Sequence, residues 1–131
     1  MTGVQTCALP ICQLEEARDL LRMALSSDQK SFEPGHPSIA RSQSNLALVL
    51  KDLGQLEEAR DLLRMALSSD QKRFEPGHPS IAIRQLNLGS VLADLGQTDE
   101  AQPLFQASYD AFLALLGQDH PLTKIAKSYV D

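Results

Sequence analysis

Apolar residues recur every three or four positions between residues 13 and 32, which is the pattern of an amphipathic helix. They are Leu14, Ala17, Leu20, Leu21, Ala24, Leu25 and Phe32. A Glu-Pro-Gly-His-Pro break follows at residues 33–37. Its last proline suits the first turn of a new helix, because its missing N–H would have no partner there. That second helix should end near Leu53, where Gly54 is well placed for a left-handed backbone.

The same pattern returns with a period of 42 residues. Residues 13–54 and 55–96 are almost identical, and a degraded third copy runs from residue 97 to residue 131. The predicted elements are a helix over residues 13–32, helix pairs over residues 37–74 and 79–116, and a partial helix over residues 121–130. Self-similarity at such a period is typical of solenoids. The sequence therefore predicts an all-α solenoid of about six helices with antiparallel helix pairs.

The first residues differ from the repeats. Residues 1–12 precede the first copy, and the stretch from Met1 to Ile11 resembles a translated sequencing adapter. We expect residues 1–12 to be a non-native leader, residues 13–131 to be the repeat array, and the chain to be a fragment. Cys7 and Cys12 both lie in this segment, so they do not indicate a disulfide framework or a redox compartment.

Charge and composition narrow the class of partner. The net charge is −5, and acidic and basic residues are interleaved through the helices, whereas a nucleic-acid-binding protein normally carries a basic stripe. Aromatic residues are few, which argues against base stacking. No apolar run approaches the length of a membrane span. We expect a cytoplasmic protein that binds neither nucleic acid nor membrane.

Candidate chemistry is sparse. His36, His78 and His120 recur once per unit at the same break, whereas a metal site needs ligands that converge on one ion. Capping or turn roles are therefore expected for them, and no metal. Pro103 is unusual in a predicted helix, and its energetic cost depends on how far it lies from the helix start. Because phosphate-loop and nucleophile motifs are missing, we expect no catalytic residue, no cofactor and no enzyme activity.

Small and bulky residues follow one fixed order across each helix pair. In the first pair they are Leu46, Ala47, Leu50, Gly54, Ala59, Leu63 and Ala66, and in the next Leu88, Gly89, Leu92, Gly96, Ala101, Phe105 and Ser108. This order resembles the tetratricopeptide repeat family, and the 42-residue unit with its Gly-His-Pro break resembles the kinesin light chain type. The resemblance implies a right-handed superhelix whose first helices line a concave groove that holds peptides or extended protein segments.

The two near-identical copies differ at seven positions, of which six fall on the first helix of the pair. The differences are Ser31/Arg73, Arg41/Ile83, Ser42/Arg84, Ser44/Leu86, Ala47/Gly89, Leu48/Ser90 and Lys51/Ala93. Residues 41, 44, 48 and 51 are spaced by three or four and so share one side of the helix. Three interpretations are open: diversification of a ligand-contacting face, drift at exposed positions, or a segment duplicated during read assembly.

The predicted binding residues lie on this side of the two first helices. They are Arg41, Ser44, Asn45, Leu48, Lys51 and Asp52 in the first unit, and Ile83, Leu86, Asn87, Ser90 and Asp94 in the second. The resemblance implies that Asn45 and Asn87 hold the ligand backbone. The basic residues of the first unit suit an acidic side chain, and the apolar residues of the second suit a bulky apolar one.

The hypothesis is thus an extended peptide with an acidic residue a few positions from an apolar residue. Because burying an apolar side chain contributes more than an exposed ion pair, Leu86→Ala should weaken binding more than Lys51→Ala. Two alternatives remain. In one, the array is a structural segment that self-associates through apolar ends, with Leu14, Leu21 and Leu25 exposed at the front. In the other, it is the sensor part of a larger protein with a nucleotide-binding switch domain.

Overall fold

A computed structural model describes residues 10–131, which form six α-helices. They are α1 (Pro10–Ser31), α2 (Pro37–Asp52), α3 (Leu56–Arg73), α4 (Pro79–Asp94), α5 (Thr98–Leu116) and α6 (Pro121–Val130). The described residues contain no strand, so the all-α prediction is confirmed. Most helix ends fall within a residue of the predicted ends, but α1 begins three residues before the repeat. Residues 1–9, with most of the predicted leader, lie outside the described part, and the origin of the leader stays a prediction.

Each of α2, α4 and α6 begins with the same histidine cap. The Nδ1 atoms of His36, His78 and His120 accept hydrogen bonds of 3.0, 3.0 and 3.1 Å from the backbone N–H two residues further on. A proline occupies the first turn of each of these helices. The ring of Phe74 stacks on His78 at 4.0 Å, and Phe32 stacks on His36 in the same way. The predicted capping role of the histidines is therefore confirmed.

The turns that follow α2 and α4 are also alike. Gly54 has a φ of 81°, its N–H donates to the carbonyl of Lys51 at 3.0 Å, and the N–H of Gln55 donates to that of Leu50 at 2.8 Å. Gly96 repeats this conformation after α4. Such a turn satisfies the last carbonyls of the helix and needs a residue without a Cβ. The next helix therefore starts at once and folds back antiparallel.

The helices pack in chain order, and α2 additionally contacts α4. We call α2, α4 and α6 the first helices and α1, α3 and α5 the second helices. Alanines such as Ala59, Ala66 and Ala101 are fully buried. Ala59 and Ala101 lie in one continuous core with bulky residues such as Leu63 and Phe105. Small residues allow close approach of two helices, and bulky ones fill the space between pairs. The result is a solenoid, as the repeat predicts.

Packing accounts for one of the differences between the copies. A Cβ atom at Gly89 would lie 2.8 Å from Cε1 of Phe105, which is too close for two carbon atoms. The equivalent positions one unit earlier hold Ala47 and the smaller Leu63. The glycine thus accommodates the phenylalanine of the third copy, so this difference follows from packing rather than from contact with a ligand.

Pro103 lies inside α5, six residues into the helix. This position is beyond the first turn, so the missing N–H removes a hydrogen bond that the helix would otherwise form. The side chain is exposed, and the equivalent residue of α3 is Asp61. Pro103 is therefore a local weak point in a helix that continues on both sides of it.

Candidate functional site

Eight of the predicted binding residues form two solvent-accessible rows, which we call the stripes. The stripe of α2 contains Arg41, Asn45, Leu48 and Asp52, and the stripe of α4 contains Ile83, Asn87, Ser90 and Asp94. In α2 all four side chains are exposed; in α4 only Asp94 is, and the other three are half-buried. Spacings of three and four residues keep the members of each stripe on one side of their helix.

The structure places the two stripes side by side, because α2 and α4 contact each other. Two polar contacts join these helices. Nζ of Lys51 lies 3.5 Å from Oδ2 of Asp94, and Nδ2 of Asn87 donates to the hydroxyl of Ser44 at 3.5 Å. Lys51 is half-buried, and its ion pair with Asp94 links neighbouring repeats. Its ammonium group is therefore not free to bind a ligand.

Ser44 and Leu86 do not belong to the accessible surface. Ser44 is 2% exposed, and Leu86 is 7% exposed and part of the continuous core. Three residues advance a helix by about 300°, so residue 44 is turned about 60° away from residue 41, toward the packed side of the helix. The expected comparison of Leu86→Ala with Lys51→Ala would consequently report stability as well as binding.

A buried ion pair at the edge of the stripes was not singled out from the sequence. Nε of Arg84 lies 3.2 Å from Oδ2 of Asp70, with side chains 12% and 3% exposed, although the geometry does not make this contact a hydrogen bond. Burial raises the pKa of the Asp70 carboxyl, against the lowering effect of Arg84, His78 and Arg73. Burial also lowers the pKa of Arg84; Asp70 opposes this effect, and the charge of nearby Arg41 adds to it.

The equivalent aspartate of the first unit has a different partner. Asp28 is the equivalent of Asp70, and it accepts a hydrogen bond from the hydroxyl of Ser42, the equivalent of Arg84. The difference Ser42/Arg84 therefore exchanges a neutral partner for a cationic one opposite an unchanged aspartate. The sequence shows that the aspartate is unchanged between the copies while Ser42 is replaced by Arg84. That these two positions lie opposite each other is known only from the structure.

The sequence matches known models of protein families. Two models described as tetratricopeptide repeat match residues 7–72 and residues 82–122. The chain belongs to the tetratricopeptide repeat family. The first match begins inside residues 1–12. A comparison with curated protein sequences found no match.

Solved structures show the same repeats. A Podospora anserina putative kinesin light chain with nearly identical TPR-like repeats superposes with a TM-score of 0.86 at 28% identity, over 91% of this chain and 56% of that one. BtubC (BKLC) from P. vanneervenii superposes with a TM-score of 0.72 at 19% identity, over 91% and 50% of the two chains. This chain thus spans about half the length of either protein. The repeats are kinesin light chain-like, and their fold is consistent with a protein-interaction scaffold.

The outward sides of the second helices of these tetratricopeptide repeats are charged. Arg22 and Glu58 pair between α1 and α3 at 2.9 Å, and Arg64 and Glu100 pair between α3 and α5. All four side chains are between 44% and 52% exposed, so each pair contributes little to stability. Within residues 10–131, neither a cluster that could hold a metal ion nor a helix fit to cross a membrane occurs.

The exposed apolar residues of α1 differ from those expected at the front of the array. Leu25 is buried, and Leu14 and Leu21 are half-buried. The exposed large apolar residues of α1 are Ile11, Leu20 and Met23, at 55%, 66% and 67%. Leu25 belongs to the continuous core and Leu21 packs against it, whereas Leu20 and Met23 stay exposed.

Proposed function

We propose that these tetratricopeptide repeats are a non-catalytic scaffold that binds an extended peptide along the stripes of α2 and α4. The main support is the placement of Asn45 and Asn87 at equivalent, accessible positions on two helices that contact each other. An asparagine amide donates and accepts at once, as does a peptide group. The side chain of Asn45 makes no hydrogen bond to another described residue, so its amide is available to a ligand backbone.

The distance between the helices sets the register of the peptide. Neighbouring packed helices lie about 8–10 Å apart, and an extended chain advances about 3.3 Å per residue. Peptide groups held by Asn45 and Asn87 are therefore about three residues apart. The acidic and the apolar side chain of the peptide, one bound by each stripe, should therefore also be about three residues apart.

The stripes differ most at one pair of equivalent positions. Arg41 is exposed and forms no ion pair with another described residue, and it lies close enough to Arg84 for the two charges to interact. Ile83 takes the equivalent place on α4 and is half-buried. An acidic side chain should bind at Arg41 and an apolar one at Ile83, with Leu48 adding apolar contact. The apolar contact is worth about 1–3 kcal/mol, whereas an exposed ion pair gives less than about 1 kcal/mol.

A peptide library displayed on phage tests this register. The wild-type array should select peptides with an acidic and an apolar residue about three positions apart, in one order. The exchange variant Arg41→Ile/Ile83→Arg should select the same two residues in the opposite order. Asp61→Ala, on the outward side of α3, is the control and should leave the selection unchanged. Selection of one order by both proteins would refute the assignment of the two positions.

The asparagines have a separate test. Asn45→Ala/Asn87→Ala should weaken every selected peptide regardless of its side chains, because the lost contacts are to the backbone. Isothermal titration calorimetry on one selected peptide and on its alanine-substituted versions measures this loss. An undiminished affinity in the double variant would remove the basis for the proposed groove.

The exposed Leu20 and Met23 favour a second function, self-association through the α1 end. Sedimentation velocity over a concentration series would then show association that Leu20→Ser/Met23→Ser abolishes. Peptide binding by that variant should remain intact, because neither residue lies on the stripes. Association that persists in this variant would refute the role of the α1 end.

A further inference from the structure

A second surface of the array lies away from the stripes. A cleft of 540 Å³, which we call the first cleft, opens between α2, α3 and the loop after α1. Its lining includes Gly35, Ile39, Gln43, Met65, Ser68 and Ser69. Two residues advance a helix by about 200°, so Gln43 points almost opposite to Asn45. The first cleft and the stripes are thus separate surfaces of the same helix.

The floor of the first cleft contains an unpartnered polar atom. Gln43 is 4% exposed, and its Oε1 accepts no hydrogen bond from the described residues. A buried carbonyl oxygen without a donor is unfavourable, so a ligand that brings an N–H or O–H to it would gain affinity. Beside it lie the buried Ile39 and the half-exposed Met65. A methionine sulfur makes favourable contacts with aromatic rings.

The next repeat provides an internal comparison. The equivalent cleft, which we call the second cleft, measures 420 Å³ and is lined by Gln85, Ala107 and Ala111 among others. Ala107 and Ala111 replace Met65 and Ser69, and Gln85 is only half-buried, without an unpartnered buried atom. The features that suit an aromatic donor are therefore combined in the first cleft and not in the second.

We propose that the first cleft is a docking site for an aromatic side chain with a hydrogen-bond donor, such as the tyrosine of a partner protein. The ring packs between Ile39 and Met65, and the hydroxyl donates to Oε1 of Gln43. The volume lies in the range of sites that bury small ligands and accommodates the ring with flanking backbone. The partner is bound by an anchor residue while the stripes stay free for a second segment.

Two blocked tripeptides test the proposal, acetyl-Gly-Tyr-Gly-amide and its phenylalanine counterpart, which lacks only the hydroxyl. Titrations are followed by NMR on the Met65 methyl group and the Gln43 side-chain amide. The tyrosine peptide should shift both signals and bind about five- to tenfold more tightly than the phenylalanine peptide, the usual effect of one hydrogen bond. Equal affinities, or no shift of these signals up to the solubility limit, would overturn the proposal.

Variants separate the two parts of the site. Gln43→Leu should abolish the preference for tyrosine, and a preference that survives this change would show that Gln43 is not the acceptor. Met65→Ala introduces the residue that the second cleft has at this position, Ala107, and should weaken both peptides by a similar factor. Because Met65 is 49% exposed, this variant should stay folded even if Gln43→Leu does not. An unchanged affinity in Met65→Ala would also overturn the proposal, and Asn45→Ala should leave this binding intact.

Discussion

Replacing Gly89 with alanine should destabilise these tetratricopeptide repeats, although alanine is preferred over glycine inside a helix by about 1 kcal/mol. The new Cβ would lie 2.8 Å from Cε1 and 3.0 Å from Cδ1 of Phe105. Phe105 is 2% exposed and stacks on Tyr129 with ring centroids 4.3 Å apart, so the ring has little room to move. Overpacking of this kind costs about 1–3 kcal/mol, which leaves a net loss of up to about 2 kcal/mol.

A double-mutant cycle with Phe105→Leu tests whether this clash is the cause, because the smaller leucine leaves room for the new Cβ. Phe105→Leu alone should cost about 1 kcal/mol, a typical value for a core change. Gly89→Ala/Phe105→Leu recreates the pair Ala47 and Leu63 of the preceding unit. The double variant should therefore be more stable than the sum of the single effects predicts, by about 1–2 kcal/mol, within the range measured for residues in contact.

Urea unfolding followed by far-ultraviolet circular dichroism gives the four free energies of the cycle. Repeat arrays can unfold in parts, so the transition should coincide with that of tyrosine fluorescence, which reports Tyr109 and Tyr129. Ala47→Gly is the control: it should lower stability by only about 1 kcal/mol, the helix-propensity term. Effects that add within about 0.5 kcal/mol would refute the coupling.

Three further predictions concern single residues. Pro103→Asp, which introduces the residue found at position 61, should raise the unfolding free energy by up to about 3 kcal/mol in urea, and an unchanged value would mean that α5 tolerates the proline. His78→Ala should cost about 1 kcal/mol and His78→Asn much less, since asparagine also caps helices; equal losses by thermal unfolding would contradict the capping role. Burial raises the folded-state pKa of Asp70 above its usual 3.8. The stability that follows from this shift is therefore fully present below pH 3.8 and is lost as the pH rises through the folded-state pKa. Arg84→Ser should therefore destabilise little in acid and by up to about 3 kcal/mol at neutral pH, and a pH-independent difference in unfolding free energy would contradict this.

The candidate site was only partly visible in the sequence. Comparison of the two copies identified positions 41 and 48 of the stripes. The unchanged Asn45 and Asn87 were added because they share the same side of the helix, and both do lie on accessible surface. Ser44 and Leu86 were grouped with them because their spacing fits the same side of a helix, but they are buried. A helical period defines a side to within about 60°, and the neighbouring helix decides where the accessible part of that side ends.

The sequence by itself determined the period, the order of the helices and their ends. Pro37 at a helix start, the His78 cap and the left-handed Gly96 act over a few residues along the chain, so their effect does not depend on distant parts of the molecule. Only the tertiary structure decided that Gly89 makes room for Phe105 and that Arg84 meets Asp70. These contacts join different helices, and their distances follow from the way the helix pairs stack, which local sequence patterns do not encode.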